Sequence, residues 1–339
     1  MKIIAVGLLF FTAVAIGQDS VFVTPILPDV NTHTYRCDSV LMTDHARRPD
    51  GFWLFEPRAP MPDSAKIIVF LHGYGAFNPM LYGQWIRHLV QQGHVVIFPR
   101  YQRDLFRPRP GRFHRNTQRA ITDALQLLSA GDHPRHDGKS ISLVGHSYGG
   151  VVAAGLAARR HESGLPEIDN VLVCAPGTSR LKGGRLKSYQ DIPAETRLAI
   201  LVCNDDAVVG DEFAWLVYNT ASQVVQRAVF RQFADSHGQP AIKAHHNQSY
   251  ALDPAFDTGV RNYTAKRALR VAALDAVDYL GHWRLLDALL RGESLLSRAE
   301  DFRDLGRWSD GTPIRPLELT LPADPAATPT VGTAADSQK

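Results

Sequence analysis

The chain has 339 residues, 45% of them hydrophobic and 21% charged, an ordinary balance for a globular protein with a large core. The 37 Lys and Arg against 34 Asp and Glu leave a net charge of +3, too small to mark a nucleic-acid binder by bulk charge. Of the three cysteines, Cys37, Cys174 and Cys203, at least one must stay unpaired, and no cysteine–histidine spacing fits a zinc site.

Met1-Lys2 opens a nearly unbroken apolar run over residues 3–16, and Ala15-Ile16-Gly17 places small residues at a cleavage point. This predicts a signal peptide over residues 1–17, cut after Gly17, and hence a secreted or periplasmic protein. The run is short for a membrane span, and no stable span is expected in the mature chain. Residues 20–62 read as strand-rich, with Gly51-Phe52-Trp53-Leu54-Phe55 as one strand.

Beyond them, short apolar runs at 67–71, 95–99, 141–144, 171–175, 198–203 and 228–233 alternate with helical patterns at 80–92, 117–130 and 148–160. Nearly all-apolar runs suit strands buried on both faces. The alternation predicts an α/β fold, a mostly parallel central sheet flanked by helices on both faces. A further helical pattern spans 264–292 with a break at Gly281, and a strand-like tail follows at 316–321. Residues 322–339, rich in Ala, Pro and Thr, predict a disordered tail. With no internal repeat or linker, residues 18–321 read as one domain.

Arg100, Arg103, Arg107, Arg109, Arg112, Arg115 and Arg119 follow the C-terminal end of the strand at 95–99, where α/β sheets bind ligands. The segment reads as a solvated loop with arginines paired to nearby carboxylates, with an anionic substrate or surface as the functional alternative.

The chemistry concentrates at Gly145-His146-Ser147-Tyr148-Gly149-Gly150, between a predicted strand and a predicted helix. Gly145 and Gly149 flank Ser147 as a nucleophile elbow, a turn so tight that side chains at the flanking positions would crowd the backbone. A serine hydroxyl needs a base, and the base needs an orienting acid. On this scaffold they follow in the order acid, then histidine. Asp206 fits the acid in Cys203-Asn204-Asp205-Asp206-Ala207, with Asp205 and then Asp211 as alternatives. His246 fits the base, with His245 beside it as the alternative and His237 upstream. The oxyanion hole needs two backbone N–H donors, expected from Tyr148 and from Tyr74 in His72-Gly73-Tyr74-Gly75.

With these pieces the chain resembles the α/β-hydrolase superfamily over residues 67–247. Locally it looks like a group of secreted bacterial members of the serine esterase and lipase type, distantly chlorophyllase-like, cutinase-like and acetylhydrolase-like. The resemblance implies cleavage of carboxylic esters, a small-molecule or lipid-like substrate, and no cofactor or metal. Relatives tend to carry an aspartate before the catalytic histidine, where this chain has His245. The same residues would serve an acyltransferase or amidase, and the scaffold alone would serve a non-catalytic binding protein. Two sequons, at Asn247 and Asn262, read as incidental.

Overall fold

The computed structural model describes residues 22–28, 35–179, 181 and 183–322. The expected signal peptide lies outside the described residues, as does the expected disordered tail from residue 323 on.

Nine strands form one sheet. They are β1 (Ser39–Asp44), β2 (Phe52–Arg58), β3 (Ile67–Leu71), β4 (Val95–Pro99), β5 (Ser140–His146), β6 (Glu167–Cys174), β7 (Arg197–Cys203), β8 (Arg227–Gln232) and β9 (Glu318–Thr320). Their spatial order is β1-β2-β4-β3-β5-β6-β7-β8-β9. The six from β4 to β8 pair in parallel, and antiparallel pairings occur only toward the two edges, β1–β2–β4 and β8–β9.

Strand alternation builds two cores. Ile68 and Phe70 of β3 face one layer, whereas Ile67, Val69 and Leu71 face the other. The first layer holds α1 (Gly83–Gln91), α6 (Tyr263–Val271) and α7 (Arg284–Arg291), through Trp85, Ala265 and Leu286. The second holds α2 (Phe113–Leu128), α3 (Tyr148–Ala158) and α5 (Glu212–Thr220), through Ile121, Val151 and Phe213. A four-residue turn, α4 (Arg160–Ser163), continues α3. The fold is thus α/β with helices on both faces of a mostly parallel sheet.

Helix α2 buries Thr117, Ala120, Ile121, Ala124 and Leu128, spacings that put all five on one stripe. Helix α3 is buried on every side. Its glycines and alanines admit that closeness: a Cβ on Gly155 would stand 2.1 Å from Nε2 of His114.

Three elements differ from the sequence reading. Helix α5 was not marked by the pattern, because Phe213, Trp215, Val217 and Tyr218 are residues of modest helix propensity. The helical pattern at 264–292 is interrupted at residues 272–275, not at Gly281. Asp275 accepts from the amide of Val277 (2.8 Å) and so starts the second helical stretch, while Gly281 lies within a π-helical turn, Asp278–Trp283, that leads into α7. Strand β1 adds an edge that the sequence left undivided within 20–62.

Candidate active site

Strand β5 enters the sheet's centre and turns at Ser147 into α3. Ser147 has φ 55° and ψ −121°, a conformation rarely adopted by any residue but glycine. Its amide donates to the Cys174 carbonyl (2.9 Å), and its carbonyl accepts from Gly150 (3.0 Å) and Gly177 (3.2 Å). A Cβ on Gly145 would lie 2.5 Å from the Gly149 carbonyl oxygen, so the two limbs of the turn do touch. A Cβ on Gly149 would meet a different obstacle, the Leu71 carbonyl oxygen of β3 at 2.0 Å. The second glycine therefore serves the packing of the elbow on the neighbouring strand.

Three side chains converge there. Nε2 of His246 lies 2.8 Å from Oγ of Ser147, and its Nδ1 lies 2.7 Å from Oδ2 of Asp206. Asp206 follows β7 and is held by two amides, those of Val208 (2.8 Å) and Val209 (3.0 Å), both on Oδ1. Burial would raise its carboxyl pKa, but the His246 hydrogen bond and charge, with the two amides, outweigh it and lower the value. An ionised Asp206 accepts from Nδ1–H, which leaves the Nε2 lone pair of His246 free to accept the Ser147 hydroxyl.

The alternatives sit elsewhere. Asp205 is exposed and accepts from the amide side chain of Asn204 (3.1 Å). Asp211 is bound to Arg231 (2.5 Å) and to the Trp215 indole (3.0 Å). Nδ1 of His245 accepts from the amide of Asn247 (3.3 Å), and His237 pairs with Asp310 (2.7 Å). Among the described residues, none of these four side chains hydrogen-bonds to Ser147.

Tyr74 and Tyr148 both line a cavity of about 270 Å3 that opens over Ser147. Neither backbone N–H has an acceptor among the described residues. Each tyrosine is tied down by its hydroxyl, Tyr74 to the Leu105 carbonyl (2.7 Å) and Tyr148 to that of Gly183. The loop itself is pinned through Gly75, whose amide donates to Gln102 Oε1 (2.8 Å) at a φ of 77° that suits glycine. Leu181, Val209 and Tyr250 give the cavity walls that are more apolar than polar.

Four contributors escaped the sequence reading. His146 is fully enclosed, with Nε2 2.8 Å from the His246 carbonyl and Nδ1 2.9 Å from the Tyr82 hydroxyl. A carbonyl only accepts, so His146 carries its proton on Nε2 and Tyr82 donates to Nδ1. The Tyr82 oxygen in turn accepts from the amide of Gly73 (2.9 Å). Burial first, and then the neighbouring His246, lower the His146 pKa to about 3, so its ring is neutral. From the other side, Asn262 donates to the Gly75 carbonyl (2.7 Å) while capping α6 through Ala265 (2.8 Å). Thr264 donates to the Tyr74 carbonyl (3.2 Å). The only sign of Asn262 in the sequence was its sequon, which gave no hint of a clamp.

A family model of the alpha/beta hydrolase family matches residues 68–327. The chain belongs to the alpha/beta hydrolase family. No curated protein matches it. Among solved structures it is similar to a fungal esterase from Rhizomucor miehei, at 17% identity and a TM-score of 0.47, over 66% of this chain and 81% of that one. No helix among the described residues is long and apolar enough to cross a membrane.

Proposed function

We infer that the protein is a serine hydrolase that cleaves short carboxylic esters through an acyl-enzyme. The observation that carries this is the unbroken chain Ser147 Oγ, His246 Nε2, His246 Nδ1, Asp206 Oδ2, with links of 2.8 and 2.7 Å. Ser147 Oγ attacks the ester carbonyl carbon as His246 Nε2 takes the hydroxyl proton. The carbonyl oxygen becomes an oxyanion facing the amides of Tyr74 and Tyr148, each worth about 3 kcal/mol in the transition state. The intermediate collapses, the C–O bond to the alcohol breaks, and His246 returns its proton to the leaving oxygen. Water, deprotonated by the same nitrogen, then attacks the acyl carbonyl and frees Ser147. Asp206 holds the imidazole in the tautomer that these steps need and stabilises its charged form.

A cavity of about 270 Å3, at the small end for ligand pockets, favours short acyl groups. Fluorophosphonate labelling of the purified protein is the test. Labelling lost in Ser147→Ala, with turnover of p-nitrophenyl acetate or butyrate lost in parallel, is the expected result, and a folded wild type that resists the probe would defeat the reading. Product analysis in the presence of alcohols and amines separates hydrolysis from acyl transfer. The apolar run at 3–16 supports a second proposal, export with cleavage after Gly17, which N-terminal sequencing of the mature protein decides.

A further inference from the structure

The arginine segment does not behave as the sequence suggested. Arg103, Arg107, Arg109, Arg112, Arg115 and Arg119 all line one cleft of about 300 Å3, against a single lining carboxylate, Asp50. Only two of the six are paired: Arg119 with Asp50 (3.0 Å) and Arg103 loosely with Asp104 (3.6 Å). Arg107, Arg109, Arg112 and Arg115 have no side-chain hydrogen bond or ion pair among the described residues. Arg100, the seventh of the segment, donates to the carbonyls of Ala46 and Arg103 and has no ion pair among the described residues, so the expectation of arginines paired to nearby carboxylates fails for five of the seven.

Like charges gathered around one cleft repel, so the arrangement is unfavourable in the empty protein. The loop is nevertheless built to hold it. Asp104 Oδ1 accepts from the amides of Phe106 (2.8 Å) and Arg107 (2.7 Å). Arg109 has a positive φ of 46° between Pro108 and Pro110. Its carbonyl accepts from the amide of Arg112 (2.9 Å), and Asn116 is tied to the Tyr101 carbonyl (3.0 Å). A backbone this constrained fixes the points from which these arginines project around the cleft.

We propose that this cleft is a binding site for a phosphate-class oxyanion carried by a ligand or substrate. A carboxylate has two oxygens and satisfies one or two guanidinium forks, whereas a phosphate group offers three or more oxygens and up to two charges to several forks at once. The cleft also adjoins the reactive pocket: Leu105 of the same loop accepts from Tyr74, and the Phe113 ring packs edge-on against Tyr148 (5.2 Å between centroids). The arginine cleft and the reactive pocket are thus neighbours on one loop, linked through Leu105–Tyr74 and Phe113–Tyr148.

The test is binding, read without turnover. Ser147→Ala protein is titrated calorimetrically with inorganic pyrophosphate at low salt, alone and with Arg107→Gln/Arg112→Gln/Arg115→Gln added. Separately, it is floated with vesicles of phosphatidylglycerol or of phosphatidylcholine. The expected result is saturable pyrophosphate binding, weakened at least about tenfold by the triple change, with an unliganded melting temperature equal to or above the parent's because repulsion is relieved. Flotation with phosphatidylglycerol alone, abolished by the triple change, assigns the phosphate to a lipid headgroup. Pyrophosphate binding without flotation assigns it to a soluble ligand. Binding of neither probe, or binding indifferent to the triple change, overturns the proposal. So does tighter binding of polygalacturonate than of pyrophosphate, and so does a lowered unliganded melting temperature, which would make the arginines structural.

Discussion

The Nε2–H of His146 donates to the backbone carbonyl of His246 across 2.8 Å, so the residue before the serine holds the main chain of the residue opposite it. The same ring accepts from Tyr82, which accepts from Gly73, and one line of hydrogen bonds runs from the Gly73-Tyr74 loop to His246. His146 is a positioning residue. In His146→Phe the ring volume is kept, but Tyr82 loses an acceptor and the His246 carbonyl a donor, each about 1–3 kcal/mol when buried. Displacing the base slightly costs about a hundredfold in rate. We expect kcat to fall by that order with KM little changed, and His146→Gln to recover part of it. A KM effect with kcat preserved would count against the role.

Replacing His246 by alanine removes the nitrogen 2.8 Å from Ser147 and should lower kcat by about 10³-fold or more. His245→Ala removes a ring whose Nδ1 accepts from the local Asn247 amide and does not bond to Ser147, and activity should stay within a few-fold. Steady-state kinetics of the two single variants decide between the adjacent histidines.

Asp206→Asn keeps the shape but replaces an acceptor of Nδ1–H with a group that can favour the wrong tautomer. A loss of about 10⁴-fold in kcat is expected, with Asp205→Asn near wild type. Equal losses in the two would show that the acid has been misassigned.

The backbone at Ser147 stores strain that the reaction geometry requires. Ser147→Gly and Ser147→Ala should both be inactive, yet the glycine variant should be more stable than the alanine by about 1 kcal/mol in urea unfolding, since glycine takes a positive φ freely. Gly149→Ala, by contrast, drives a Cβ to 2.0 Å from the Leu71 carbonyl and should yield little folded protein on size exclusion.

Burial lowers the pKa of six histidines: His72, His94, His114 and His282 to about 4, His146 to about 3, and His245 in the same direction, against 6.5 unfolded. Between those values the unfolded chain binds protons that the native rings refuse, so stability rises with pH there and is lost as pH falls from 6.5. Asp275 and Asp278, both raised by burial, work in the opposite direction. Six histidines outnumber two aspartates, so the balance on unfolding near pH 5 is proton uptake, each proton worth about 1.4 kcal/mol per pH unit. Urea titrations at pH 7, 6 and 5 should show a steepening loss. A flat profile would mean that these rings are open to solvent.

The sheet was legible in the sequence because each inner strand carries its own signature. Ile67 to Leu71 is apolar throughout, since both faces are covered. The elbow was legible for the same local reason: Gly145, Ser147 and Gly149 are neighbours. Contacts between distant parts were not. Nothing near His245 or His246 says which ring faces Ser147, and nothing near Asn262 says that it grips Gly75. The pairing of Arg119 with Asp50, and the isolation of Arg107 and Arg112, depend on a surface that forms only when α2 meets β2. Helix α5 hid behind bulky side chains whose burial, not propensity, makes it helical.

The clamp of Asn262 on Gly75 spans 187 positions, and Ser147 meets His246 across 99. A chain made from its N-terminus therefore presents the Gly73-Tyr74 loop and its serine well before the aspartate and histidine that meet there. A growing chain stopped short of residue 262 has the loop held by Tyr82, Gln102 and Leu105 but lacks the contacts of Asn262 and Thr264. The full arrangement around Ser147 is thus completed by segments that lie C-terminal to it, and it belongs to the finished fold and not to the elbow alone.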